Sequence, residues 1–127
     1  MGRIFGIIGS VSALLGVAAG AFGAHGLKQT LTPEMLDVFE VGARYQMYHA
    51  FALLAVAMLA MRTQSKLVNA AGWLYVAGTV IFSGSLYVLA MSGIKWLGAI
   101  TPIGGLCFMI GWATLAVGFA KCGTESE

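Results

Sequence analysis

Four long apolar stretches dominate the chain, and almost no charged residue interrupts them. They cover residues 4–24, 45–61, 67–91 and 102–120, and a helix needs about 17–25 such residues to cross a bilayer. Only 9% of the residues are charged, whereas a soluble globular domain has about 25%. Because so few charges cannot keep a whole surface wet, the sequence predicts an integral membrane protein.

The length fits one domain, residues 1–127, and no segment is polar enough to form a second, soluble one. The second stretch is the shortest and continues a helix that begins earlier, so we place the spans at 4–24, 42–61, 67–91 and 102–120. The fold class is therefore an all-α membrane protein, a bundle of four transmembrane helices. The alternative for the first stretch is a signal peptide, with a basic start at Arg3 and small residues at 19–21; its length favours a retained helix.

A polar segment separates the first two spans. Thr32, Pro33 and Glu34 have the order of a helix N-terminus: a capping hydroxyl, a proline at the first position and an acid favoured by the helix dipole. Beyond them, the apolar and charged residues fall on different sides of a helix. We expect an amphipathic helical segment that runs into the second span.

Small residues recur every seven positions, most regularly in the first span. Since burying apolar side chains gains little in lipid, membrane helices associate through close backbone contact over such residues. The period predicts near-parallel helices packed on glycine. The expected packing positions are Gly9, Gly16, Gly20, Gly23, Gly78, Gly104 and Gly111.

Basic residues set the expected orientation. With four spans, Arg3, Arg62, Lys66 and Lys121 share one side, and Lys28, Arg44 and Lys95 lie on the other. Four against three favours both termini in the cytoplasm. No run of Lys or Arg approaches a phosphate-binding patch, so a nucleic-acid partner is not expected.

The remaining polar residues concentrate at one predicted membrane boundary. The candidates for binding a ligand or partner are His25, Arg44, Tyr45, Tyr48 and His49. Three interpretations compete: a structural belt with Arg44 paired to Glu40 or Asp37, a site for a lipid, quinone or partner protein, and a metal or haem site using both histidines. Phosphate loops, zinc-protease motifs and nucleophile elbows are absent, so we predict no catalytic residue, metal or cofactor.

Four segments resemble the YgdD/YwdK family of small bacterial membrane proteins, which is classed as a domain of unknown function. They read GAFGAHGL at 20–27, RYQMYHA at 44–50, SGSLY at 83–87 and GAITPIGG at 98–105. The resemblance implies a four-helix protein of the bacterial plasma (inner) membrane and implies no activity.

The sequence favours a non-enzymatic accessory or membrane-organising protein, within a larger membrane complex or a homo-oligomer. The alternative is a module that binds a lipid, quinone or other amphiphile at an interface formed by His25, Arg44 and His49. An oligomeric transporter is a third hypothesis, with a polar path at a subunit interface past Thr79, Ser83 and Ser85.

Overall fold

The computed structural model consists of helices joined by short connections. It describes the backbone of residues 1–125 and the side chains of residues 1–122. The helices are α1 (Gly2–His25), α2 (Pro33–Arg62), α3 (Lys66–Gly78), α4 (Gly84–Ser92) and α5 (Thr101–Glu125), with a π-helical turn at Thr79–Ser83 and a 3₁₀ helix at Lys95–Ala99. No strand occurs in residues 1–125, which confirms the all-α prediction.

Three helical segments are long and apolar enough to cross a membrane: Gly2–His25, Lys66–Ser92 and Lys95–Cys122. Helix α2 is not among them. Charged residues occupy its first half, and Gln46 and His49 lower the hydropathy of its second half. By length and composition, then, three of the four predicted spans are supported.

Helix α2 begins as its sequence predicts. The hydroxyl of Thr32 accepts a hydrogen bond from the backbone N–H of Met35 at 3.2 Å, and Pro33 is the first helical residue. The amphipathic pattern also holds: Phe39 and Gly42 are buried, whereas Asp37 and Arg44 are exposed.

Helix α1 runs antiparallel to α2 and contacts it along most of its length. A methyl group on Gly9 would lie 3.1 Å from the carbonyl oxygen of Ala50. Further along α1, a methyl group on Gly16 would lie 2.6 Å from the sulfur of Met47. A methyl group on Gly23 would lie 2.9 Å from the ring of Phe39. These three glycines therefore lie against α2 with little space to spare.

Gly20 does not lie in this contact, and its prediction as a packing position is wrong. It is exposed, and a methyl group there would meet nothing within 4 Å. The side chains of Met47 and Phe39 reach α1 on either side of it, at Gly16 and Gly23. A gap remains between these two contacts.

Helices α3 and α5 also pack over small residues. Methyl groups on Gly78 and Gly111 would collide with the rings of Phe108 and Tyr75, respectively. At Gly104 the obstacle is the backbone of Phe82 in the π-helical turn. Backbone cannot rotate away as a side chain can, so this is the least forgiving of the glycine positions.

The core lies where the four long helical segments meet. Its largest fully buried side chains include Phe5 of α1, Leu53 of α2 and Tyr75 of α3. The chain leaves α4 at Gly93, whose φ of 74° is left-handed and suits glycine. Helix α5 then begins at Thr101.

Candidate functional site

His49 is buried between α2 and α5, with 4% of its surface exposed. Its Nδ1 lies 2.8 Å from the carbonyl oxygen of Tyr45, and its Nε2 lies 3.0 Å from the indole nitrogen of Trp112. A carbonyl can only accept a hydrogen bond and an indole N–H can only donate one. His49 is therefore held as the tautomer that is protonated on Nδ1, with both ring nitrogens engaged.

Aromatic rings enclose the same imidazole. The ring of Phe108 stacks on it, with centroids 3.5 Å apart and planes within 6°. The rings of Tyr75 and Trp112 lie at 5.5 Å and 5.8 Å. The side chain thus joins α2 to α5 and presents no free nitrogen to a ligand.

Gln46 lies one turn before His49 and joins three helices. Its amide nitrogen donates to the carbonyl oxygen of Ser12 on α1 at 2.9 Å. Its amide oxygen accepts from the hydroxyl of Tyr87 on α4 at 2.6 Å. Each end of this buried amide is paired, as burial in an apolar environment demands.

Two serines near the π-helical turn tie further helices together. Ser83 donates to the carbonyl oxygen of Gly42 on α2 at 2.7 Å, and Ser85 is 2.6 Å from the hydroxyl of Thr101 on α5. Both serines are buried inside the single chain. Both hydroxyls bond within the single chain, which argues against the transport path past Thr79, Ser83 and Ser85; that path stays a prediction.

The remaining candidates lie near the protein surface. His25 is the last residue of α1 and is exposed. Arg44 donates to Glu40 at 2.7 Å, one of the two pairings expected for it. Tyr45 and Tyr48 are exposed and meet edge to face, with centroids 5.5 Å apart. An exposed ion pair one helical turn apart contributes only about 0.3–0.5 kcal/mol.

The structure does not bring His25, Arg44 and His49 into one site. Arg44 lines a groove between α1 and α2, whereas His49 is enclosed by rings of α2, α3 and α5. His25 neither lines that groove nor contacts the ring of His49. The predicted His25/Arg44/His49 interface is therefore wrong as a single binding site.

We call the groove beside Arg44 the interfacial groove. Its lining comes from α1 between Gly16 and Ala24, from Lys28, and from α2 between Leu36 and Met47. Its volume is about 780 Å³, within the range of small-molecule sites. The groove lies beside Gly20, where a methyl group would contact no atom of α2 within 4 Å.

A second groove of about 500 Å³ lies between α1, α2 and the π-helical turn. It is almost wholly apolar, and it includes Ser12 and Thr79, whose buried hydroxyl oxygens have no hydrogen-bond partner in the described part of the chain.

Among residues 1–122, no group of three or more His, Cys, Asp or Glu side chains is placed to hold a metal ion.

Sequence reasoning missed Gln46, Trp112, Lys28 and Asp37 as members of these arrangements. Gln46 had a usable signal, because an amide inside an apolar stretch must find partners. Trp112 had none, since it lies 63 residues from the histidine it contacts.

Comparison with known proteins gives consistent matches. Residues 19–105 match a family described as "Protein of unknown function (DUF423)". The chain is 48% identical to the UPF0382 membrane protein YwdK of Bacillus subtilis, over 94% of this chain and 98% of that protein. A UPF0382 membrane protein of Staphylococcus saprophyticus is also 48% identical, over 94% and 98%. No solved structure matches.

Proposed function

The chain belongs to the DUF423 family of membrane proteins, as its resemblance to YwdK predicted, and on that premise we propose that it is a four-span, non-enzymatic protein of the bacterial plasma membrane. It acts there as an accessory subunit or as a membrane-organising protein. Helix α2 provides the fourth span in this proposal.

The outward surface of α2 supports its insertion. From residue 45 to residue 61, every exposed residue is Tyr, Phe, Ala or Met, including Phe51 and Met58. The polar residues of the same stretch, Gln46 and His49, are buried. A helix in water would present the opposite arrangement, whereas polar residues in membrane helices face the bundle interior.

The observation that carries the proposal is that the buried polar side chains form hydrogen bonds to neighbouring helices. Gln46, His49 and Ser83 each bond to a second helix, through Tyr87, Trp112 and Gly42. A general acid or base needs an atom within reach of a substrate proton, and both ring nitrogens of His49 are engaged. These side chains serve the fold rather than a reaction.

The orientation follows from the basic residues. Arg3, Arg62, Lys66 and Lys121 lie on the side we assign to the cytoplasm, with the two termini, which gives four basic residues there against three. Lys28, Arg44 and Lys95 lie on the other side. The relatives are named membrane proteins of bacteria, which supports the plasma membrane.

A partner-capture experiment tests the accessory role. The tagged chain is extracted from its own membrane in mild detergent and examined by native mass spectrometry. We expect a protein partner, or further copies of the chain, in fixed stoichiometry. A bare monomer from every mild detergent would contradict the proposal.

Two matched variants locate the contact. Leu14 on α1 and Met109 on α5 are equally exposed, at 68%, and face outward. We expect one of the two substitutions, Leu14→Trp or Met109→Trp, to abolish partner binding and the other to leave it intact. Retention in both variants would place the contact on another face.

A further inference from the structure

The interfacial groove has an apolar part and a charged part. Val17 and Ala21 of α1 and Leu36 of α2 supply apolar lining. Gly20 keeps the groove open, because a side chain there would project into free space. This part suits one acyl chain.

The charged part contains two cations and two anions. Arg44 is paired with Glu40. Lys28 and Asp37 also line the groove, and neither forms an ion pair within 4.0 Å with any residue whose side chain is described. The groove therefore offers one positive and one negative group that have no ionic partner among the described side chains.

We propose that the interfacial groove binds a phospholipid whose headgroup carries both a phosphate and a primary ammonium group. Lys28 holds the phosphate, Asp37 accepts hydrogen bonds from the ammonium group, and one acyl chain lies along α1 past Gly20. This inference rests on the proposed insertion of α2, which places these charges at headgroup level.

The charge pattern favours this headgroup over its neighbours. A headgroup that is only anionic would satisfy Lys28 but would set its negative charge beside Asp37 and Glu40. A trimethylated ammonium group carries the positive charge but has no N–H to donate. We therefore expect the charge-assisted hydrogen bond from the ammonium group to Asp37 to raise the affinity about tenfold.

The test measures lipid retention by the full-length protein in detergent. The purified, delipidated chain is titrated with dioleoyl phosphatidylethanolamine, phosphatidylcholine or phosphatidylglycerol and examined by native mass spectrometry. We expect one adduct of phosphatidylethanolamine at a concentration about tenfold below that needed for either other lipid. Equal retention of all three would overturn the proposal.

Substitutions in the groove separate this site from general lipid contact. We expect Asp37→Asn to abolish the roughly tenfold preference for phosphatidylethanolamine, and Lys28→Gln to weaken binding of all three lipids about tenfold, because each of them carries the phosphate. The control is Glu34→Gln, an exposed acid on the first turn of α2 that does not line the groove. An equal loss in the control would overturn the assignment.

A methyl group at Gly20 meets nothing within 4 Å, so we expect the side chain of Gly20→Leu to fill the groove and leave the contact between α1 and α2 in place. The control is Gly84→Leu. A methyl group on Gly84 also meets nothing within 4 Å, but this residue borders the second groove. We expect only Gly20→Leu to lose the adduct, and retention there would overturn the proposal. Retention is measured in detergent, so a topology in which α2 fails to cross would refute the proposed function and leave the measured lipid preference standing.

Discussion

The indole N–H of Trp112 donates a hydrogen bond to Nε2 of His49 across 3.0 Å. The two residues lie 63 positions apart, on α5 and α2. Together with the stacked ring of Phe108, this bond fixes the imidazole inside the bundle. The histidine that most resembles a functional residue in the sequence thus has a structural role in the contact between two helices.

Replacing His49 by alanine should destabilise the protein. The change leaves the Trp112 N–H unpaired and opens a cavity beside Phe108, at a cost of about 2–3 kcal/mol. The measurement is thermal unfolding in detergent. Tyr48→Ala, an exposed neighbour on the same helix, is the control and should unfold near the wild-type temperature. A His49→Ala protein as stable as the wild type would contradict the structural role.

Trp112→Phe separates the hydrogen bond from the packing. It keeps an aromatic ring beside His49 but removes the N–H donor together with part of the indole ring. We expect a loss smaller than that of His49→Ala, to which the hydrogen bond contributes about 0.6 kcal/mol, the average for interhelical bonds in membranes. The same unfolding assay checks it. A loss as large as that of His49→Ala would show that the indole ring, rather than its N–H, makes the contact.

Gln46 and Tyr87 should be energetically coupled. A double-mutant cycle with Gln46→Leu and Tyr87→Phe isolates their 2.6 Å bond. We expect a coupling free energy of about 0.6–1.7 kcal/mol. The control cycle uses Tyr45→Phe in place of Tyr87→Phe, because no hydrogen bond joins the hydroxyl of Tyr45 to Gln46. Its coupling free energy should be near zero. Additive losses in the first cycle would contradict the bridge.

Gly104→Ala should be far more damaging than Gly105→Ala. The first methyl group collides with the backbone of Phe82, whereas the second would lie 3.8 Å from the Phe82 ring, an ordinary contact. We expect a loss of about 1–3 kcal/mol for Gly104→Ala and a neutral or slightly stabilising effect for Gly105→Ala. Unfolding temperatures of the two variants decide this, and equal values would contradict the close approach.

Local chemistry made several features predictable from the sequence. The start of α2 follows from the capping hydroxyl of Thr32 and the ring of Pro33, and the end of α4 from the left-handed backbone that Gly93 allows. Both depend on residues that are close in sequence. The period of small residues likewise predicted that Gly9 lies against a neighbouring helix.

Features that depend on distant residues were not predictable in the same way. Gly20 has the same spacing as its neighbours in α1, but Met47 and Phe39 fill the contacts on either side and leave a gap. Tyr45 and His49 are four residues apart, yet only His49 is buried, because Phe108 and Trp112 of α5 cover it. Helical periodicity defines a face, but it does not say which helix covers that face.

The central claim, that α2 crosses the membrane, is tested most directly by cysteine labelling in intact cells. Cys107 and Cys122 are replaced by serine, and single cysteines are placed at the exposed residues Gln29, Gln64 and Lys95. With an impermeant maleimide, we expect labelling at 29 and 95 from outside the cell, and at 64 only after permeabilisation. Gln29→Cys and Gln64→Cys responding from the same side would contradict the four-span account.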